Sequence, residues 1–118
     1  MKNHLIISLL ILSVGFSQKL TEVVETYENG NIKSITYHKK SRTGIEKVKY
    51  EQYYEYGQKK IEETWKDGWE DGLWTWWYEN GQKQYEGTYK DDEGISSKCW
   101  DEEGNECECG ENWREGCD

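Results

Sequence analysis

A chain of 118 residues with 24 acidic and 15 basic side chains is one small domain with a formal net charge of −9. That sign argues against nucleic acid, whose binding needs a basic stripe to displace counterions. Seven Trp and nine Tyr against few aliphatic residues argue against a thick, dry core, because each of these rings brings a polar handle that must find water or a partner.

The N-terminus reads as an export signal. Lys2 supplies a short positive region, and the run from Leu5 to Phe16 is apolar. Gly15-Phe16-Ser17 then places small residues at −3 and −1 of a cleavage site. Residues 1–17 are therefore expected to be a signal peptide, with Gln18 as the new N-terminus. The run is too short to cross a bilayer, which needs about 20 apolar residues, so no membrane span is expected in the mature chain. No cysteine follows it, which argues against a lipid anchor. The expected location is secreted or periplasmic, at the cell envelope.

Residues 18–94 read as repeated β-hairpins. Tyr27-Glu-Asn-Gly30, Tyr54-Glu-Tyr-Gly57 and Tyr78-Glu-Asn-Gly81 are copies of one unit, and Trp100-Asp-Glu-Glu-Gly104 is a worn fourth. Their glycines fall 27, 24 and 23 residues apart, a spacing typical of repeat architectures. Asn29-Gly30 and Asn80-Gly81 are the strongest short hairpin signals, with both residues expected at positive φ. Tyr56-Gly57 and Glu103-Gly104 keep only the glycine, so those turns are expected to differ in type. Polar turns are expected from His38 to Gly44, from Lys66 to Gly72 and from Lys90 to Gly94. Alternation places Val48, Tyr50, Gln52 and Tyr54 on one face and Lys47, Lys49, Glu51 and Tyr53 on the other. The fold class expected is all-β, an open antiparallel meander of about eight strands whose hairpins hold one another up.

Residues 95–118 read as an acidic, cysteine-rich C-terminal cap. Asp91 to Asp118 carries 11 acids against two bases, a solubilising block rather than a specific site. Cys99, Cys107, Cys109 and Cys117 are an even set in an exported chain and are expected to form two disulfides. Pairing Cys107 with Cys109 would close a very small ring, which leaves two connectivities open. Zinc is the rival reading, but the usual Cys-x2-Cys knuckles are missing.

The segment Gly72-x-Trp74-x-x-Trp77-Tyr78-x-Asn80-Gly81-x-Lys83, followed by Glu86-Gly-x-Tyr89, resembles the MORN repeat variant. That family includes bacterial proteins catalogued as YwqK-type antitoxins. The match is close over 54–94, weaker over 20–53 and vestigial over 95–104. Gly44 to Gly57 spans 13 residues where Gly72 to Gly81 spans nine, so a bulge or longer turn is expected there. The resemblance implies an open meander with no catalytic apparatus.

The residues offer no enzyme chemistry. His38 is the single histidine after the leader and sits in a basic run, and the carboxylate pairs are too many to be informative. Asp101 to Glu108 lacks the spacing of a calcium loop. No cofactor and no metal are expected. The positive candidate is the cluster Trp65, Trp69, Trp74, Trp76 and Trp77. Adjacent strand residues point to opposite faces, so Trp76 is expected to protrude while Trp77 packs inward. Trp69 and Trp76 are the candidate binding surface, because an exposed Trp is a typical hot-spot residue. The expected function is a non-enzymatic interaction module with a protein partner at the envelope, acting in the manner of an antitoxin. The alternative is a glycan stacked on the Trp and Tyr rings.

Overall fold

A computed structural model describes residues 4–11, 19–112 and 115–117. Ten strands lie among them: β1 (His4–Ile11), β2 (Lys19–Thr26), β3 (Ile32–Ser41), β4 (Gly44–Tyr53), β5 (Lys59–Lys66), β6 (Trp69–Glu70), β7 (Gly72–Trp77), β8 (Lys83–Lys90), β9 (Glu93–Trp100) and β10 (Glu106–Cys107). Each pairs antiparallel with the next along the chain, except that β6 and β7 share β5 as neighbour. The result is an open meander with two more strands than the eight expected. The backbone of β1, inside the segment read as a signal peptide, pairs with β2 from His4 opposite Thr26 to Ile11 opposite Lys19. The cleavage position after Ser17 lies outside the described residues. A boundary at residue 94 falls inside β9, so repeats and cap share one strand.

The four wide turns lie along one edge of the sheet and are alike. In each, the glycine N–H bonds to the carbonyl three residues back, as from Gly30 to Tyr27 and from Gly104 to Asp101, both at 3.0 Å. Gly30, Gly57, Gly81 and Gly104 have φ of 88–101°, and the residue before each has negative φ. These are three-residue loops ending in a glycine bulge, not the two-residue turns expected at Asn-Gly. The asparagine serves another purpose. Asn80 accepts the Gln82 N–H at 3.0 Å and donates to the Glu102 carbonyl of the next turn at 2.7 Å. Asn29 does the same for Asn31 and Glu55. Tight turns with both central residues at positive φ occur on the opposite edge, at Asp67-Gly68 and Asp91-Asp92. The basic run from His38 is strand rather than turn, because β3 continues to Ser41. The extra residue of this hairpin is Val48 on β4, left over at the register shift between Tyr37 and His38.

Alternation and register separate two faces. One carries Trp65, Trp74, Trp76, Tyr85, Tyr89 and Cys99. Trp74 is 2 % exposed, Tyr85 1 % and Cys99 fully buried. Trp65 and Trp74 meet at 5.0 Å between ring centroids, and Trp74 and Tyr89 at 5.1 Å. The polar handles are satisfied locally. Trp74 Nε1 donates to the Thr64 carbonyl at 2.8 Å, and the Tyr85 and Tyr89 hydroxyls bond at 2.8 Å. A Cβ on Gly87 would lie 1.9 Å from the Tyr85 hydroxyl, so that ring occupies the space a side chain would need.

The other face is ionic. Glu51, 5 % exposed, accepts from Lys59 at 2.8 Å and from the Tyr53 hydroxyl at 3.0 Å. Glu62 bridges Lys49 and Lys59 at 3.0 and 3.1 Å.

The C-terminal segment closes one end. Its disulfides join Cys99 to Cys109 and Cys107 to Cys117, with Cα atoms 5.3 and 5.6 Å apart. This selects one of the two open connectivities. The cross-links interleave, each spanning ten residues, and β10 pairs with β9 between them. Gln84 Nε2 donates to the Glu115 carbonyl at 2.7 Å, fastening the segment to β8.

Candidate binding surface

Trp76 does not protrude as expected. A register shift lies between Trp76, which faces Tyr85, and Trp77, which faces Lys83. The residue left over at the shift is Gln84 on β8, so alternation along β7 is unbroken and puts Trp76 on the face of buried Trp74. Both rings are half-buried. Trp76 joins the aromatic face, edge-on to Tyr85 at 6.4 Å, with Nε1 donating to Glu63 Oε1 at 3.1 Å.

Trp69 is the exposed ring. It is 51 % accessible, on the two-residue strand β6, where it faces Lys66. The segment is held from behind, since Glu70 N–H donates to Asp92 Oδ1 at 2.5 Å and Asp92 N–H to the Glu70 carbonyl at 3.0 Å. Between β6 and β7 the pairing to β5 is interrupted by Thr64, whose hydroxyl donates to the Asp71 carbonyl at 2.5 Å. Leu73 is 50 % and Ile95 62 % exposed, on the strands that follow. Register places Leu73 opposite Thr88 and Thr88 opposite Ser96, beside Ile95. Trp69 and Leu73 lie on the face opposite Trp65 and Trp74, whereas Ile95, left over at the register shift between Thr88 and Tyr89, lies on the aromatic face with Tyr85 and Tyr89. On that aromatic face a cleft of about 670 Å³ is lined by Tyr85, Tyr89, Glu70, Asp92, Ile95 and the cap residue Cys109, among others.

The turn edge carries a second regular feature that strand patterning missed. Tyr27 Oη donates to the Tyr53 carbonyl at 2.6 Å, Tyr54 Oη to that of Trp77 at 2.6 Å, and Tyr78 Oη to that of Trp100 at 2.8 Å. Burial raises the pKa of each of these tyrosines, and a carboxylate of the next turn raises it further: Glu55, Glu79 and Glu102 respectively. The ladder ends where Asp101 stands in the tyrosine position. The Tyr-Glu repetition was visible in the sequence, but nothing there said that each tyrosine reaches forward to the following turn.

No group of three or more His, Cys, Asp or Glu side chains is arranged to hold a metal among the described residues. His38 is a half-buried strand residue opposite Lys47.

A hairpin whose Gly-x-Trp strand leads into Tyr-x-Asn-Gly, with tyrosines tying turn to turn, is a repeat unit. Residues 70–91 match the MORN repeat variant. The matched segment holds β7, β8 and the turn between them, the part in which both Trp74 and Tyr85 are buried. The curated proteins and the solved structures gave no match. MORN repeats are generally interaction modules for proteins or lipids and generally non-enzymatic.

Proposed function

We propose that this chain is an exported, non-enzymatic interaction module that docks a protein at the cell envelope through the patch around Trp69. The observation that carries the reading is the exposure of Trp69 and Leu73, each at least half accessible, on one face in and beside the segment that matches the MORN repeat variant. Exposed aromatic and aliphatic anchors set in a polar surface are the usual content of a protein hot spot. Two cystines agree with an oxidising compartment, and Leu5 to Phe16 reads as the leader that takes the chain there. Antitoxin-like neutralisation is one form such docking takes. Trp76 belongs to this reading as the ring that backs the patch from the aromatic face.

Trp69→Ala is expected to leave the melting temperature nearly unchanged and to abolish retention of the envelope protein that wild type holds. Trp76→Ala is expected to lower the melting temperature first, because the ring packs on Tyr85. A Trp69→Ala protein that keeps its partner removes the patch from consideration. Intact mass of the native protein tests export separately: a chain beginning at Gln18 is expected, and retention of Met1 refutes cleavage. A glycan reading is favoured by the cleft beside Ile95, where tyrosines lie with the carboxylates of Glu70 and Asp92. Binding of a soluble oligosaccharide that shifts the Tyr89 and Asp92 amide resonances would select it over a protein.

A further inference from the structure

The turn edge is a docking groove of a different kind from the Trp69 patch. Three subsites repeat along it, each made of one turn's tyrosine and the next turn's glutamate: Tyr27 with Glu55, Tyr54 with Glu79, and Tyr78 with Glu102. The hydroxyl-to-carbonyl bonds of the tyrosines fix the rings, and the Asn29 and Asn80 amides fix successive turns against one another. Between the second, third and fourth turns lies a groove of about 410 Å³ walled by Tyr54 and Tyr78 and edged by Glu79 and Glu102. Successive turns are two strands apart, so the subsites recur about every 9.4–9.8 Å. A polyproline II helix presents every third side chain on one side, at a repeat of about 9.3 Å, and such helices dock in aromatic-lined grooves. The carboxylate at each step fixes the sign of the complementary side chain.

We infer that this edge binds a partner's extended polyproline II segment bearing Lys or Arg at every third residue, one cation per Tyr-Glu subsite. The cation sits between ring and carboxylate, where both attract it. The intervening residues stay outside and set only the stiffness of the segment. Lys33 Nζ lies 5.8 Å from the Tyr27 ring centre and Lys60 Nζ 5.4 Å from that of Tyr54, so these two side chains oppose the first and second cations. Sheet twist turns the row gradually, so three consecutive subsites are the useful length. This proposal extends the protein-binding reading to another surface and stands independently of Trp69.

The test compares two peptides of identical composition. One is four Pro-Pro-Arg triplets; the other has the same residues with the arginines irregularly spaced. Each is titrated into the oxidised protein, with fluorescence anisotropy for affinity and amide chemical shifts for location. The regular peptide is expected to bind about tenfold more tightly, with shifts at Glu55, Glu79 and Glu102, and to weaken as salt rises. Combined Glu55→Gln, Glu79→Gln and Glu102→Gln substitution should weaken it at least about tenfold, as loss of three rim contacts implies, with the melting temperature retained. Lys60→Gln should tighten it about twofold by the same reasoning. Equal affinity for the two peptides overturns the proposal by reducing it to general electrostatics. So does the absence of binding by either, or shifts confined to the surroundings of Trp69. A Trp69→Ala protein should bind the regular peptide as wild type does, so this proposal and the proposed function can fail separately.

Discussion

Glu51 is a carboxylate buried in the middle of a sheet that has no second layer to shield it. Burial raises its pKa, but hydrogen bonds from Lys59, Tyr37 and Tyr53 and the charge of Lys49 outweigh that effect, and the net value is lowered from 4.5. A depressed folded value means that stabilisation is complete above the unfolded pKa and is lost as pH falls through the folded one. Acid unfolding should therefore set in below pH 4.5. Glu51→Gln should cost about 1–3 kcal/mol at neutral pH and flatten the acid limb of the stability curve, measured by urea melts across pH. Tyr78 makes a sharper comparison. Tyr78→Phe removes the bond to the Trp100 carbonyl and should cost about 1 kcal/mol. Tyr56→Phe, at a ring 84 % exposed on its turn tip, should change nothing measurable.

At the scale of the element, the hairpin from β7 to β8 depends on two glycines for different reasons. Gly81 sits at φ +88° with open space around it, so a side chain there is opposed by the backbone alone. Gly81→Val should cost about 1–3 kcal/mol. Gly87 faces Trp74 across the ladder and leaves room for the Tyr85 ring. Gly87→Ala forces that buried ring to move and should destabilise by about 1–3 kcal/mol through overpacking. Thermal melts separate the mechanisms when combined with Tyr85→Ala, which should relieve the Gly87→Ala clash and leave the Gly81→Val strain intact.

For the whole molecule, an open sheet of hairpins has ends that lack a neighbour, and the cap supplies one for β9. The interleaved cystines each close about ten residues and contribute about 3 kcal/mol apiece by restricting the unfolded chain. Replacing Cys99 and Cys109 with Ser should expose Tyr85, beneath the cap, before it affects Ile35 on the ionic face. Hydrogen exchange at those two amides measures the difference. A uniform loss at both would mean that the cap and the sheet unfold as one unit.

The repetition of Tyr-Glu-x-Gly was enough to determine that the chain is an open meander of hairpins, because spacing and turn glycines are local properties of the sequence. The even cysteine count was enough for two disulfides but not for their pairing, which needed the position of β10 against β9. The turn type was missed because Asn-Gly suits more than one loop, and the same loop forms at Tyr56-Gly57 and Glu103-Gly104, where asparagine is replaced. The face of Trp76 was missed for a related reason. Alternation sets Trp76 and Trp77 on opposite faces without saying which turns inward, and the burial of Trp74 two residues earlier puts Trp76 on the aromatic face. The bonds between turns join residues 22 to 26 positions apart, and the burial of Glu51 needs partners from three strands, so only tertiary structure brings these residues together.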